Sequence, residues 1–208
     1  AKRVIITAPA KDAEQKDART ILNGVNEDLF QSTLVSSNGS CTTNSASPVV
    51  SILAENPGIE SAMLTPIHGY TATQRIQDGP DGKDWRRGRA AAVNIVPSTT
   101  GAAVSVTRAV ESLQGKFDGI ALRVPVPVGS ISDITFVAKR PVTPEEINTI
   151  LREASATPRW SNILKVVDDP VVSSDIVGES YGAVVDAGLT RVIGGTLVKV
   201  MSWYDNEW

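Results

Sequence analysis

The chain is poor in the residues that most often announce a function. Of its 208 residues one is cysteine and one is histidine. A lone cysteine excludes an intrachain disulfide and fits a reducing, cytoplasmic setting. There is no polybasic tract; the 20 basic and 23 acidic residues are mixed along the chain, for a formal charge of -3. That argues against nucleic acid or an anionic membrane surface as a main partner. No apolar run approaches the roughly 20 residues of a membrane span, and the opening AKRVIITAPAKD turns polar too soon for a secretory signal. Repeats, low-complexity tracts and long linkers are absent too.

What is present suits a globular α+β domain. Hydrophobic residues make up 41% and charged residues 21%, ordinary values for a packed core under a charged surface. Arg3 to Thr7 reads as a buried strand closed by Pro9, and the polar stretch Ala10 to Ser36 as a helical turn or loop before a short strand at Leu34-Val35. A helix is expected from Thr43 to Asn56, stopped by Pro57-Gly58, then a strand from Ile59 to Ile67, and a polar loop from Gln77 to Gly88. Thr99 to Leu113 reads as helical, and Ile120–Val128 and Ile131–Ala138 as strands. Thr143-Pro144-Glu145-Glu146 carries three helix-start signals: a capping hydroxyl, proline at the first helical position, and acids in the first turn. The tail from Val166 is rich in β-formers and ends on a strand at Leu197–Tyr204. Strands outnumber helices without strict alternation. The fold expected is α+β, a mostly antiparallel or mixed sheet with helices on one face. A strand that opens the chain, and one that nearly closes it, lead us to expect a piece of a larger protein.

The stretch Ser37-Asn38-Gly39-Ser40-Cys41-Thr42-Thr43-Asn44 sets the only cysteine among hydroxyls ahead of a helix. A helix N-terminus favours thiolate. Lowering a thiol from about 8.5 to about 6 takes roughly 3.4 kcal/mol, and a helix terminus supplies at most about 2. A second cation is needed, and His68, at the end of a strand, is the natural candidate. Taken singly, a lone cysteine is more often a small buried hydrophobe, and a lone histidine more often an ordinary surface or core residue.

The segment SNGSCTTN resembles the active-site signature of the phosphorylating glyceraldehyde-3-phosphate dehydrogenases. In the same order come His68-Gly69-Tyr70-Thr71-Ala72-Thr73-Gln74, Trp85-Arg86-Arg87-Gly88-Arg89-Ala90-Ala91-Ala92, Pro97-Ser98-Thr99-Thr100-Gly101-Ala102-Ala103, Arg123-Val124-Pro125 and Ser202-Trp203-Tyr204-Asp205-Asn206-Glu207-Trp208. The resemblance covers essentially the whole chain.

It implies an enzyme that oxidises glyceraldehyde 3-phosphate with inorganic phosphate and NAD or NADP to 1,3-bisphosphoglycerate. Cys41 would be the nucleophile and His68 the base. Thr71 and Arg123 would hold the substrate phosphate, and Ser40, Thr42, Thr100 and Gly101 the attacking phosphate, with Arg87 adding positive potential. Asn206 would meet the nicotinamide carboxamide. By the same resemblance residues 1–40 are the residual end of a nucleotide-binding domain and the lead-in to the site, and 41–208 the catalytic domain. Assembly would be a homo-oligomer, a tetramer in the family, with no metal. Departures are few: Gly39 stands where the family often has alanine, Ser45 where it has a second cysteine, and Val104 where lysine is common. The chain has no Gly-x-Gly turn and no phosphate-binding P-loop, so nothing in it grips the adenosine half of a dinucleotide. Two further readings fit these residues: a stand-alone module that binds sugar phosphates without turnover, and a related erythrose-4-phosphate dehydrogenase.

Overall fold

The structure, a computed structural model, describes residues 1–10 and 14–208. It opens with three short strands, β1 (Val4–Ile6), β2 (Ala18–Thr20) and β3 (Val35–Ser37), with a 3-10 turn at Glu27–Ser32. They form a small parallel sheet in the order β1-β3-β2. Helix α1 (Cys41–Glu55) leads to β4 (Ile59–Gly69); β5 (Val96–Thr99) leads to α2 (Ala102–Ala109). Then come β6 (Phe117–Val124), β7 (Ser130–Ala138), α3 (Pro144–Ser155), β8 (Leu164–Val167), β9 (Ala183–Asp186), β10 (Arg191–Ile193) and β11 (Leu197–Tyr204). The last eight strands make one mixed sheet in the order β5-β6-β4-β7-β11-β9-β8, with β10 pairing β11. The expected α+β class, with helices on one face of a mixed sheet, is what the chain adopts.

Alternation along the long strands decides which face is covered. On β4 the residues Ala62, Leu64 and His68 are buried, whereas Met63 between them is half exposed. On β7 Ile134 and Phe136, and on β11 Val198 and Val200, are buried in the same way. All of these buried side chains except His68 pack with Val49, Val50 and Leu53 of α1, Val106 of α2 and Ile147 and Leu151 of α3 in one cluster. Burying a Leu, Ile or Phe side chain contributes roughly 1.5–3 kcal/mol, so this layer holds the three helices to the sheet. On α1 the small residues Ser45, Ala46 and Ser47 are fully buried.

Several expectations need correction. The first strand is expected to be buried, but Val4, Ile5 and Ile6 are exposed (48%, 59% and 39%); β1 is an edge strand of the small sheet. Strand β2, inside a stretch read as a helical turn or loop, exists through its pairing with β3 rather than through composition. Part of that reading falls on residues 11–13 and lies outside the described residues. Helix α1 starts at Cys41 rather than Thr43, because the Ser40 side chain caps it by accepting from the Thr43 N–H at 3.1 Å. The helix read over Thr99–Leu113 is shorter. Val96–Thr99 pairs with β6, α2 ends at Ala109, and a separate 3-10 turn covers Glu111–Leu113. The start of α3 is as expected, with Thr143 accepting from the Glu146 N–H and Pro144 in the first turn.

Candidate functional site

The helix-facing side of the sheet changes character along its length. At one end it is Leu64, Ile134, Phe136, Val198 and Val200; at the other it is His68, Arg123, Ser130, Ser132, Ser202 and Tyr204. Register aligns the polar end, since His68 pairs with Arg123, Tyr204 with Ser130 and Ser202 with Ser132. The N-terminus of α1 faces this end. Gly39, with φ +71°, turns the chain into the helix. The Asn44 side chain ties the turn down by donating to the carbonyls of Asn38 (2.7 Å) and Ser40 (2.9 Å). Cys41 is thereby fixed as the first helical residue, beside a buried strand end.

The cysteine and histidine meet: Cys41 Sγ lies 3.3 Å from His68 Nε2. His68 is 4% exposed. Its other nitrogen, Nδ1, is 2.6 Å from the Gly69 carbonyl and 2.7 Å from Arg123 Nη1, which also lies 3.1 Å from that carbonyl. The Tyr204 ring stands edge-on to the imidazole at 5.9 Å, and its hydroxyl shares a 2.8 Å hydrogen bond with Thr42 Oγ1.

The electrostatics correct one expectation. Burial, with the Arg123 charge next, lowers His68 to about 4, so the ligand-free imidazole is neutral at pH 7. The cation that favours a Cys41 thiolate is Arg123. It acts alongside the Thr42 N–H and hydroxyl, yet burial outweighs them all and raises the thiol above its ordinary value. Burial also raises the Tyr204 hydroxyl, which stays protonated as a hydrogen-bonding group.

Around the pair lies a set of unmatched donors. The Nε groups of Arg123 and Arg87, Gln74 Nε2 and Asn206 Nδ2 are buried without a partner among the described residues. Arg87 and Arg123 repel each other, and neither forms an ion pair with a carboxylate among the described residues. Gln74 accepts from the Thr71 N–H at 3.1 Å and so directs its own NH2 group away from Thr71. Guanidinium and amide donors left over in this way suit an anion with several acceptor oxygens. Asn206 accepts from the Gly129 N–H (3.1 Å) and the Ser130 hydroxyl (2.8 Å) through Oδ1, which leaves Nδ2 to donate. Ser130 in turn accepts from the Gly69 N–H at 3.2 Å, linking Asn206 to the strand end that carries His68. Cys41, Ser40, Gly39, Asn44, Tyr204 and Asn206 line one cavity of about 530 Å³.

The structure thus brings together Cys41, His68, Thr42, Ser40 and Arg123, with Arg87 and Thr71 close to the same strand ends. It does not join Thr100 or Gly101 to them by a hydrogen bond. Val96 is level with Arg123, but Thr99 pairs with Ile120, roughly 10 Å along the strand; Thr100 there accepts from the Ala102 N–H at the start of α2. Sequence reasoning missed Tyr204 and Ser130 as site residues. Their signal was a polar residue on the buried face of a strand. Among the described residues no group of three or more His, Cys, Asp or Glu could hold a metal, and no helix is long and apolar enough to cross a membrane.

Fold and site together define an α+β domain with a cysteine–histidine pair at a helix N-terminus beside an arginine. The family model described as glyceraldehyde 3-phosphate dehydrogenase, C-terminal domain, matches residues 40–206. The chain is 48% identical to the glyceraldehyde-3-phosphate dehydrogenase of Mycobacterium avium, a match covering 100% of this chain and 60% of that protein. To the enzymes of the same name from Borreliella burgdorferi and Mycobacterium leprae it is 48% and 47% identical, covering 61% and 60% of them. The chain belongs to the glyceraldehyde 3-phosphate dehydrogenase family, and it spans about 60% of the length of these curated relatives.

Proposed function

We propose that the chain is the catalytic part of a phosphorylating glyceraldehyde-3-phosphate dehydrogenase, residues 41–208 forming the catalytic domain and 1–40 the end of a nucleotide-binding domain. The observation that carries this reading is the 3.3 Å approach of Cys41 Sγ to His68 Nε2 at the head of α1, with Arg123 behind the histidine. Cys41 Sγ adds to the aldehyde carbon. His68 Nε2 takes the hydroxyl proton as the thiohemiacetal becomes a thioester. Inorganic phosphate then attacks the thioester carbonyl, releases the acyl phosphate and frees the thiol. The Cys41 N–H at the helix start is positioned to stabilise the oxyanion.

Arg123 and Thr71 hold the substrate phosphate, Arg123 through its forked donors. Ser40, Thr42, Thr100 and Gly101 serve the attacking phosphate, and Arg87 supplies positive potential. Asn206, with Nδ2 as its spare donor, fits the carboxamide oxygen of NAD or NADP; when bound, that cofactor supplies the hydride acceptor. The working enzyme is a cytoplasmic homotetramer that turns over small molecules.

The test is mass spectrometry of the chain incubated with glyceraldehyde 3-phosphate, beside calorimetry with inorganic phosphate. The expected result is one adduct, on Cys41, lost in Cys41→Ser, and anion binding lost in Arg123→Ala. An adduct that survives Cys41→Ser would overturn the reading. A preference for erythrose 4-phosphate would move it to the related dehydrogenase. Phosphate binding with no adduct would leave only a binding module.

A further inference from the structure

We propose that Asn38 is a modification site: with Gly39 it converts spontaneously, through a cyclic imide, to isoaspartate and aspartate, and either product lowers the reactivity of Cys41 three residues on. Two asparagines in the chain are followed by glycine, Asn23 and Asn38. In an asparagine–glycine step the glycine backbone nitrogen attacks the asparagine Cγ. A C–N bond forms, the side-chain nitrogen leaves as ammonia, and a five-membered imide remains. Water, the one co-reactant, then opens the ring. Breaking the bond from nitrogen to the α-carbonyl gives isoaspartate, whose main chain runs through Cβ and Cγ; breaking the bond to Cγ gives aspartate. Nothing is oxidised or reduced. Glycine favours the attack because no Cβ crowds its nitrogen and its backbone turns freely enough to close the ring.

The surroundings of the two steps differ. Asn38 is exposed, and its side-chain amide makes no hydrogen bond among the described residues, so Cγ is free to turn toward the Gly39 nitrogen. The Gly39 N–H donates to Ser37 Oγ at 3.2 Å. That oxygen also receives the Ala10 N–H at 3.3 Å, and its own proton goes to the Ala8 carbonyl at 2.7 Å. Gly39 thus has a shared, neutral acceptor. At Asn23, which is exposed too, the Gly24 N–H donates to the Glu27 carboxylate at 2.9 Å. Attack needs the nitrogen to shed its proton, and there it would set two negative charges within hydrogen-bond distance. Glu27 therefore protects Asn23, and Asn38 has no such guard. The Asn38 main chain is held at two points: its N–H donates to the Ile6 carbonyl at 3.1 Å, and its carbonyl accepts from Asn44 Nδ2 at 2.7 Å. Ile6 belongs to the exposed edge strand β1, so the first hold opens whenever that strand frays.

Both products act on the head of α1, where Ser40 is the cap and Cys41 the first helical residue. Each carries a carboxylate just ahead of that cap. A negative charge there opposes the helix-end field that favours a thiolate. Isoaspartate does more. It puts an extra carbon into the main chain and displaces the carbonyl that Asn44 holds. Asn44 is then left with the Ser40 carbonyl alone, at 2.9 Å, and the turn that fixes Cys41 loosens.

The test is ageing of the purified chain in warm, mildly alkaline buffer under a reductant. Peptide mapping by mass spectrometry and iodoacetamide labelling of Cys41 are run on the same samples. Electron-transfer fragmentation tells isoaspartate from aspartate, and Asn23 is the internal reference. We expect Asn38 to convert several times faster than Asn23. In the converted fraction the labelling rate should fall by about two- to fivefold, the change that one charge at a helix end brings. Asn38→Gln, whose longer side chain would have to close a six-membered ring, keeps the amide and should age with no loss of labelling. Asn38→Asp should label at the slower rate from the start. Asn38 staying intact while Asn23 converts overturns the proposal, and so does an equal loss of labelling in wild type and Asn38→Gln. Conversion with unchanged labelling overturns the effect on Cys41 and leaves the modification alone standing. Neither readout involves substrate, phosphate or cofactor, so failure here leaves the dehydrogenase reading untouched.

Discussion

At the level of single residues, the chemistry turns on burial competing with one guanidinium. His68 has an ordinary value of 6.5 and is lowered to about 4 in the fold. Between those two pH values the unfolded chain binds a proton that the folded chain refuses, so stability rises with pH across that window and is lost as pH falls through it. The span corresponds to about 3 kcal/mol. Urea unfolding of wild type and His68→Asn at several pH values from about 7 to 4 should show the wild type losing that much more than the variant. Parallel pH curves for the two proteins would contradict the assignment. Cys41 gives a second test, since burial raises its thiol while Arg123 lowers it. Iodoacetamide labelling of the anion-free chain should give an apparent pKa above that of an unperturbed thiol. Arg123→Ala should raise it further; a fall on removing the arginine would mean that the charge acts elsewhere. None of this balance could be read from the sequence, where Cys41 stood beside a helix start and His68 was the only histidine on hand. What was missing was the cross-strand register that sets Arg123 next to His68.

At the level of elements, legibility followed how local the signal was. The start of α3 was plain because its cap, proline and acids are consecutive and act within one turn. Strand β2 was illegible because Ala18-Arg19-Thr20 becomes a strand only through pairing with β3. Tyr204 was read as the end of a strand and Ser130 fell between two expected strands, and neither was read as part of a site, because their polarity matters only once the opposite face is known to be covered. The two capped helices allow a clean comparison. Thr143→Ala and Ser40→Ala each remove a side chain that accepts from the third helical N–H and should each cost about 1 kcal/mol. Denaturant melts should show similar losses for both. Only Ser40→Ala should also change the labelling rate of Cys41, because only α1 carries that cysteine. Equal effects on labelling would indicate that the cap acts through global stability alone.

At the level of the whole molecule, the polar end of the eight-stranded sheet gathers Cys41, His68 and Arg123, while the sequence carries no Gly-x-Gly turn for a dinucleotide's pyrophosphate. Positioning of reactants can be worth roughly 7–11 kcal/mol, and the one donor of Asn206 contributes on the order of 1. The purified 208-residue chain should therefore reduce NAD with glyceraldehyde 3-phosphate slower by orders of magnitude than its relatives, as read by NADH absorbance, while still forming the Cys41 adduct. Rapid turnover would show that the cofactor is held by residues other than those named. The burial pattern of α1 has a consequence for breathing motions. Eleven of its fifteen residues are buried, and it packs into the central cluster, whereas β1 is exposed at every position. Opening free energies follow buried contacts, so amide hydrogen exchange should be slowest in the middle of α1 and fast in β1. The Cys41 sulfur would then ride at the head of the element that opens last, and loosening of the small sheet would leave its surroundings intact.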